Sequence, residues 1–241
     1  SAWCVLSELD RLEQGRIGWK IWMAMALCGL AITIKQTSLF ESAFFGLFVL
    51  FKLRRAGRSP RQIALPGATM ALIGALPTLA IAAAYALSGH WHEYWTAMVH
   101  ANLDKPSLGF AFTLNWVWAI SGRIVLIAGI VIWSVRRGVP HGREREFLIG
   151  WLCAALIGFV IIPNFFLHYV LPLLVPFSVL AGYLYARPDI GRIWLAATLC
   201  FHWIWYNPLD IDATRKSVEA MDRLTGMVRD HDGGGGLFVF D

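Results

Sequence analysis

The chain has 241 residues, of which 57% are hydrophobic and 15% charged, with a formal net charge of +5 and a mean hydropathy of +0.56. A soluble domain of this length is rarely so apolar, and the basic residues stand in short clusters between apolar segments, so the positive charge reads as membrane orientation and not as a nucleic-acid surface. Cys4, Cys28, Cys153 and Cys200 are scattered without metal-ligand spacing, so neither a disulfide nor a zinc site is expected.

Residues 1–15 mix apolar and charged side chains and read as the tail of an earlier helix, closed by the charged segment 10–16. With Ser at position 1 and no basic leader, the chain reads as a fragment. The first clear span is Trp19–Ile34. Lys35, Gln36 and Thr37 interrupt it and residues 38–53 resume it, which predicts a tight hairpin of two bilayer-length helices. Lys52, Arg54, Arg55, Arg58 and Arg61 then form the densest cationic cluster, which the positive-inside bias puts in the cytoplasm.

That assignment orients everything after it. Residues 63–88 cross outward, with Pro66 in the first turn and Pro77 at a kink. Residues 89–116 are an outside segment whose His and Trp suit an interfacial loop or a helix lying at the headgroups. Residues 117–135 return to Arg136, Arg137, Arg143 and Arg145; 147–162 go out; 170–186 return to Arg187 and Arg192; 193–205 go out again. The expectation is an all-α multi-pass membrane protein, with about seven transmembrane helices in residues 1–206. Residues 207–241 begin a small soluble α/β domain outside: 212–231 has helical periodicity through Val218, Met221, Leu224 and Met227, and 237–240 reads as a strand after four glycines.

Polar residues at membrane depth need a partner or a purpose, and here they gather on the outer side of this topology. Lys35 and Gln36, then His90, His92, Glu93, His100, Asn102, Asp104 and Lys105, then Asn164, His168 and Tyr169 all fall in outside turns or at outer helix ends. Such a set suits an anionic ligand. Lys35 reads either as a cation snorkelling to the interface or as a point-charge contact for phosphate. His168 and Tyr169 read either as part of an aromatic belt or as an anion site ahead of a helix start. Pro172 and Pro176, on one face of the helix that follows, are each expected to free a backbone carbonyl near a cavity. The three histidines are a weak metal signal, Glu93 and Asp104 read as solvated carboxylates or general bases, and Arg123 reads as snorkelling.

Two stretches carry a resemblance. GLAITIKQTSLF, residues 29–40, resembles the small-residue helix end followed by Lys in the lipid-carrier-dependent membrane glycosyltransferases of the GT-C class. HYVLPLLVPFSVLAGYLYA, residues 168–186, is similar to a helix in the branch that contains protein O-mannosyltransferases and the lipid A aminoarabinose transferase. The resemblance implies transfer of a sugar from a polyprenyl-phosphate carrier to a lipid, glycan or protein acceptor, at the non-cytoplasmic face of the plasma (inner) membrane. It implies a carrier-phosphate contact at Tyr169, and Tyr94 with His100 six residues on is similar to a family Tyr-Phe…His pattern whose His lies close to the catalytic centre. Lys35 matches the lysine that ends the family's small-residue helix, and the residues themselves suggest Lys35, His168, His100 and Lys105 as further substrate or carrier-phosphate contacts, with a divalent metal ion as the one cofactor to consider and no metal ligand assigned. The family's cation shortly after the histidine is replaced here by Asn102, Leu103 and Asp104, with Lys105 the nearest cation. The family's catalytic carboxylates belong to a loop that would precede Ser1, so the catalytic residues are expected outside this sequence. A transporter or flippase for a lipid-linked anion is the alternative, because it would use the same outward cavity and broken helix.

Overall fold

The computed structural model describes residues 1–100, 124–137, 142–161, 170–206 and 211–231. Among the described residues all regular structure is helical and there is no strand; the expected strand at 237–240 lies outside them. The chain divides into two compact units, Ser1–Leu195 and Ala196–Asp241.

The first unit starts with two short helices, α1 (Ala2–Leu6) and α2 (Leu9–Glu13). Cys4, Val5, Leu9 and Leu12 are buried, so the opening residues fold back on the helices that follow instead of forming the tail of one longer helix. Gly15, at a φ of +72°, allows the chain to turn out of α2, and its carbonyl accepts a hydrogen bond from Arg58 Nε at 3.0 Å. The hairpin follows as expected: α3 is Trp19–Ile34 and α4 is Ser38–Arg55.

The next helix, α5 (Pro60–Leu87), has 28 residues and is roughly 42 Å long. It begins earlier than expected because Ser59 and Gln62 form a capping box, with Pro60 in the first turn where no N–H is needed. Pro66 therefore lies inside the helix and not in its first turn. Only Met70 of α5 is buried, while Leu65, Leu72, Leu76 and Leu79 stand exposed. Where α5 meets α3 the backbones touch: a Cβ at Gly29 would come 2.5 Å from the Gly74 carbonyl oxygen and 3.0 Å from Pro77 Cδ. Small residues at such a crossing let two helices approach closely. A short helix α6 (Trp91–Trp95) then runs into a π-helix, Thr96–His100.

Helices α7 (Ile124–Arg136), α8 (Glu144–Ile161), α9 (Leu171–Tyr185) and α10 (Gly191–Tyr206) come next. α8 lies antiparallel to α4. Lys52, late in α4, reaches Glu146, early in α8, with Nζ 2.8 Å from Oε2, while Gly158, late in α8, lies against Phe40, early in α4. Between these contacts Phe147 is fully buried and packs against Phe44, Phe45 and Phe48 at ring-centroid distances of 5.6, 5.2 and 5.1 Å. α9 packs on α8, and Tyr183 Oη donates to Glu144 Oε2 at 2.5 Å.

The proline expectation needs correcting. Pro172 sits in the first turn of α9, where a missing N–H costs the helix no hydrogen bond; Pro176 is the interior one. Among the described residues the acceptor that Pro176 frees is the carbonyl of Pro172 itself.

One described helix, Pro60–Leu87, is long and apolar enough to cross a membrane, and Trp19–Ile34, Ile124–Arg136 and Leu171–Tyr185 are apolar but shorter. α4 and α8 have 18 residues each but carry charges: Lys52, Arg54 and Arg55 in the last turn of α4, and Glu144 and Glu146 in the first turn of α8. Of the seven spans expected from the sequence, the clear one is therefore α5.

The second unit begins within α10 and continues with α11 (Ile211–His231). The helix expected over 212–231 is present, and Val218, Met221, Leu224 and Met227 along it are exposed. In α10, His202 Nδ1 lies 2.8 Å from the Thr198 carbonyl oxygen.

Candidate functional site

The α3–α4 turn brings the end of α3 and the start of α4 to one end of the first unit. The α4–α5 turn brings the end of α4 and the start of α5 to the other. Antiparallel pairing places the start of α8 with the second group. That second end holds the ion pairs between elements. Glu146 accepts from Lys52 Nζ and, at 2.8 Å, from Arg55 Nη1, and these two cations hold its carboxyl below the ordinary glutamate range. Arg143 pairs with Asp10 and Glu13 of the N-terminal helices.

The opposite end carries the predicted site. The chain leaves α3 at Lys35 in an extended conformation, with its N–H still bonded to the Ala31 carbonyl at 2.9 Å. Lys35 is half-buried, and burial pushes its ammonium pKa down because a desolvated cation is disfavoured. Gln36 Nε2 donates to the Met98 carbonyl at 3.1 Å and lies 3.4 Å from Met98 Sδ. Met98 belongs to the π-helix that ends at His100. The lysine turn and the histidine segment, 62 residues apart between Gln36 and Met98, are thus joined directly. π-Helical turns occur often at functional sites because they disturb the regular hydrogen-bond ladder.

The aromatic residues before the π-helix form a ladder. Tyr94 lies with its ring centroid 5.2 Å from Tyr85 at the end of α5 and 5.7 Å from Trp91, which anchors α6 to the end of that long helix. Glu93 and His92 are exposed, and His90 Nδ1 lies 3.3 Å from Ser88 Oγ. Among the described residues no three His, Cys, Asp or Glu side chains gather as a metal ion would need, and His90, His92 and His100 form no such group. Lys105, His168 and Tyr169 lie outside the described residues, as do Asn102, Asp104, Arg123 and Asn164.

Two residues at this end were missed by sequence reasoning. Thr37 Oγ1 is buried without a hydrogen-bond partner among the described residues, which leaves a hydroxyl in the lysine turn able to serve a ligand. Glu41, in the first turn of α4, is half-buried and accepts a hydrogen bond from Trp151 Nε1 of α8. The signal for Glu41 was present, a lone carboxylate in the apolar run SLFESAFF. The sequence marks Thr37 only as the last of the polar trio in the turn.

This end can therefore offer a partly desolvated ammonium, a free hydroxyl and a carboxylate held in place by an indole. The first two suit the oxygens of a phosphate group. Comparison with protein-family models, with curated proteins and with solved structures gives no significant match. The fold is all-helical among the described residues, and in the first unit the ion pairs between elements and the lysine turn lie at opposite ends of α4.

Proposed function

We propose that this chain is a multi-pass membrane segment of a glycosyltransferase that uses a polyprenyl-phosphate-linked sugar as donor and works at the non-cytoplasmic face of the plasma membrane. The observation that carries the membrane part is α5: a core helix of a soluble protein with this hydropathy would be buried, yet only 6% of its apolar window is. Exposure of a 28-residue apolar helix is what a lipid-facing helix requires. In this reading α3, α4, α7, α8, α9 and α10 complete the seven crossings, with their charged residues confined to terminal turns, such as Lys20 in α3, Arg136 in α7 and Arg192 in α10, where they reach the headgroups.

The site reading is supported by the Gln36–Met98 contact, because it joins two segments that sequence analysis assigned to the outer side. In the proposed reaction an acceptor hydroxyl gives its proton to the carboxylate base expected outside this sequence and its oxygen attacks the anomeric carbon, the bond from that carbon to the carrier phosphate oxygen breaks, and the phosphate leaves with the electron pair. Lys35, with Thr37 beside it, stabilises the charge that develops on the departing phosphate; a fixed cation in a partly dry site does this better than water. His100, Lys105, His168 and Tyr169 are proposed as further contacts to the carrier headgroup.

The test uses the full-length protein in membranes with a polyprenyl-phosphate-sugar donor. Lys35→Ala should lower transfer by roughly tenfold or more, and His100→Ala and Tyr169→Phe should also lower it, all without loss of membrane insertion. Unchanged transfer in all three variants would remove this end of the molecule from the reaction.

A further inference from the structure

A second feature lies at the opposite end, away from the proposed site. Between α4 and α8 runs an open cleft of about 660 Å3, bordered by Phe44, Leu47 and Phe51 from α4 and by Arg145, Glu146 and Ile149 from α8. Its floor is apolar. Leu47 is 65% exposed and Phe51 46%, so these side chains lie open along the cleft. From Phe51 to Phe44 the wall extends ~10 Å along α4, starting at the charged end and running toward the middle of the helices.

The charges sit at the mouth alone, and they do not cancel. Among the described residues that line the cleft Glu146 is the single carboxylate, and it already receives Lys52 and Arg55. The Arg55 guanidinium carbon lies 4.5 Å from the centroid of the Phe51 ring, which holds that cation over the apolar wall. Arg145, on the other wall, is exposed and donates to the Val135 carbonyl at 3.3 Å, an acceptor that leaves its positive charge uncompensated. Among the described residues, Arg145 at the rim and Lys52 and Arg55 on Glu146 thus set three cations against one carboxylate above an apolar channel.

We propose that this cleft binds one anionic glycerophospholipid of the cytoplasmic leaflet, with its phosphate at Arg145 and Arg55 and an acyl chain along Leu47, Phe51 and Ile149. The proposal rests on the membrane reading above and is independent of the glycosyl-transfer reading. A zwitterionic lipid would fill the apolar part equally but would bring no net charge to the cationic mouth, so charge selects the occupant. Arg145 is the selecting residue, because Arg55 is already committed to Glu146.

The full chain in mixed vesicles of phosphatidylglycerol and phosphatidylcholine, each in turn carrying a diazirine in the acyl chain, provides the test. The expected result is that phosphatidylglycerol labels Leu47, Phe51 and Ile149 in preference to phosphatidylcholine, whereas both label exposed Leu72 and Leu76 of α5 alike. Arg145→Gln should cut the preference about fivefold, Arg145→Lys should keep most of it, and Leu47→Trp should reduce labelling by both lipids by narrowing the channel. Equal labelling by the two lipids at Leu47 and Phe51, or a preference unchanged in Arg145→Gln, would overturn the proposal. Alkaline extraction of the same vesicles separates the two ideas. A chain released into the supernatant overturns the membrane reading and the cleft together, and a retained chain without the preference overturns the cleft alone.

Discussion

The two ends of the first unit use polar residues in opposite ways. At the end that gathers the N-terminal helices, the α4–α5 turn and the start of α8, cations and carboxylates pair across elements: Lys52 and Arg55 with Glu146, and Arg143 with Asp10 and Glu13. At the other end no such cation–carboxylate pair joins two elements among the described residues. Lys35 is half-buried in a turn, the Thr37 hydroxyl is buried without a hydrogen bond among the described residues, and Glu41 is held by an indole and not by a cation. Paired charges fasten helices together, whereas a buried hydroxyl without a partner, such as that of Thr37, can serve a ligand. The difference teaches where to look for structure and where to look for chemistry.

The comparison breaks most readily at the point that keeps α3 and α5 together. Gly29→Ala places a methyl against the Gly74 carbonyl and Pro77, and backbone cannot yield as a flexible side chain can. We expect a loss of ~3 kcal/mol, measured by denaturant unfolding of the detergent-solubilised protein, together with loosening of the Lys35 turn from the π-helix. A variant as stable as the parent would mean that the helices do not cross there.

Glu146→Gln tests the paired end. Lys52 is only 6% exposed, so losing its carboxylate leaves a nearly buried cation, but Glu146 itself is half in solvent. A cost of about 1–2 kcal/mol follows at neutral pH. The sign with pH is definite: the carboxyl pKa is lowered in the folded state, so its contribution is full above the unfolded value near ~4.3 and disappears as pH falls through the lower folded value. Unfolding curves of parent and variant should converge in acid. A gap that widens there would contradict the pairing.

The smallest effect sharpens the single-group end. Gln36→Leu removes the hydrogen bond to Met98 at a net cost of ~1 kcal/mol, and amide exchange across Thr96–His100 should quicken while exchange in α4 and α8 stays as it was. No change in the π-helix would show that the turn and the histidine segment are held by other contacts.

Much of this organisation was legible in the chain itself. The hairpin of α3 and α4 follows from a sixteen-residue, mostly apolar stretch, a polar trio and a second apolar run, and the helices lie where that reading puts them, with α4 two residues longer at its end. The periodicity of 212–231 likewise announced α11. The fold-back of residues 1–15 was not legible, because Val5, Leu9 and Leu12 become a buried face only when α3 and α4 are there to cover them. The roles of Pro66 and Pro172 depended on where each helix starts, and a shift of a few residues exchanged an interior position for a first-turn one. At the candidate site, Lys35 and His100 could be singled out as costly residues, but the joining of their two segments by Gln36 and Met98 depends on a contact far apart in sequence.

By itself the sequence determined the apolar segments, the clustering of positive charge between them and the helical character, since these depend on composition and local spacing. Only tertiary structure decided which carboxylate met which cation, where two glycine-bearing helices touched and what the start of the chain covered. Those outcomes depend on side chains that approach one another through folding, and no local pattern encodes a neighbour that is ninety residues away.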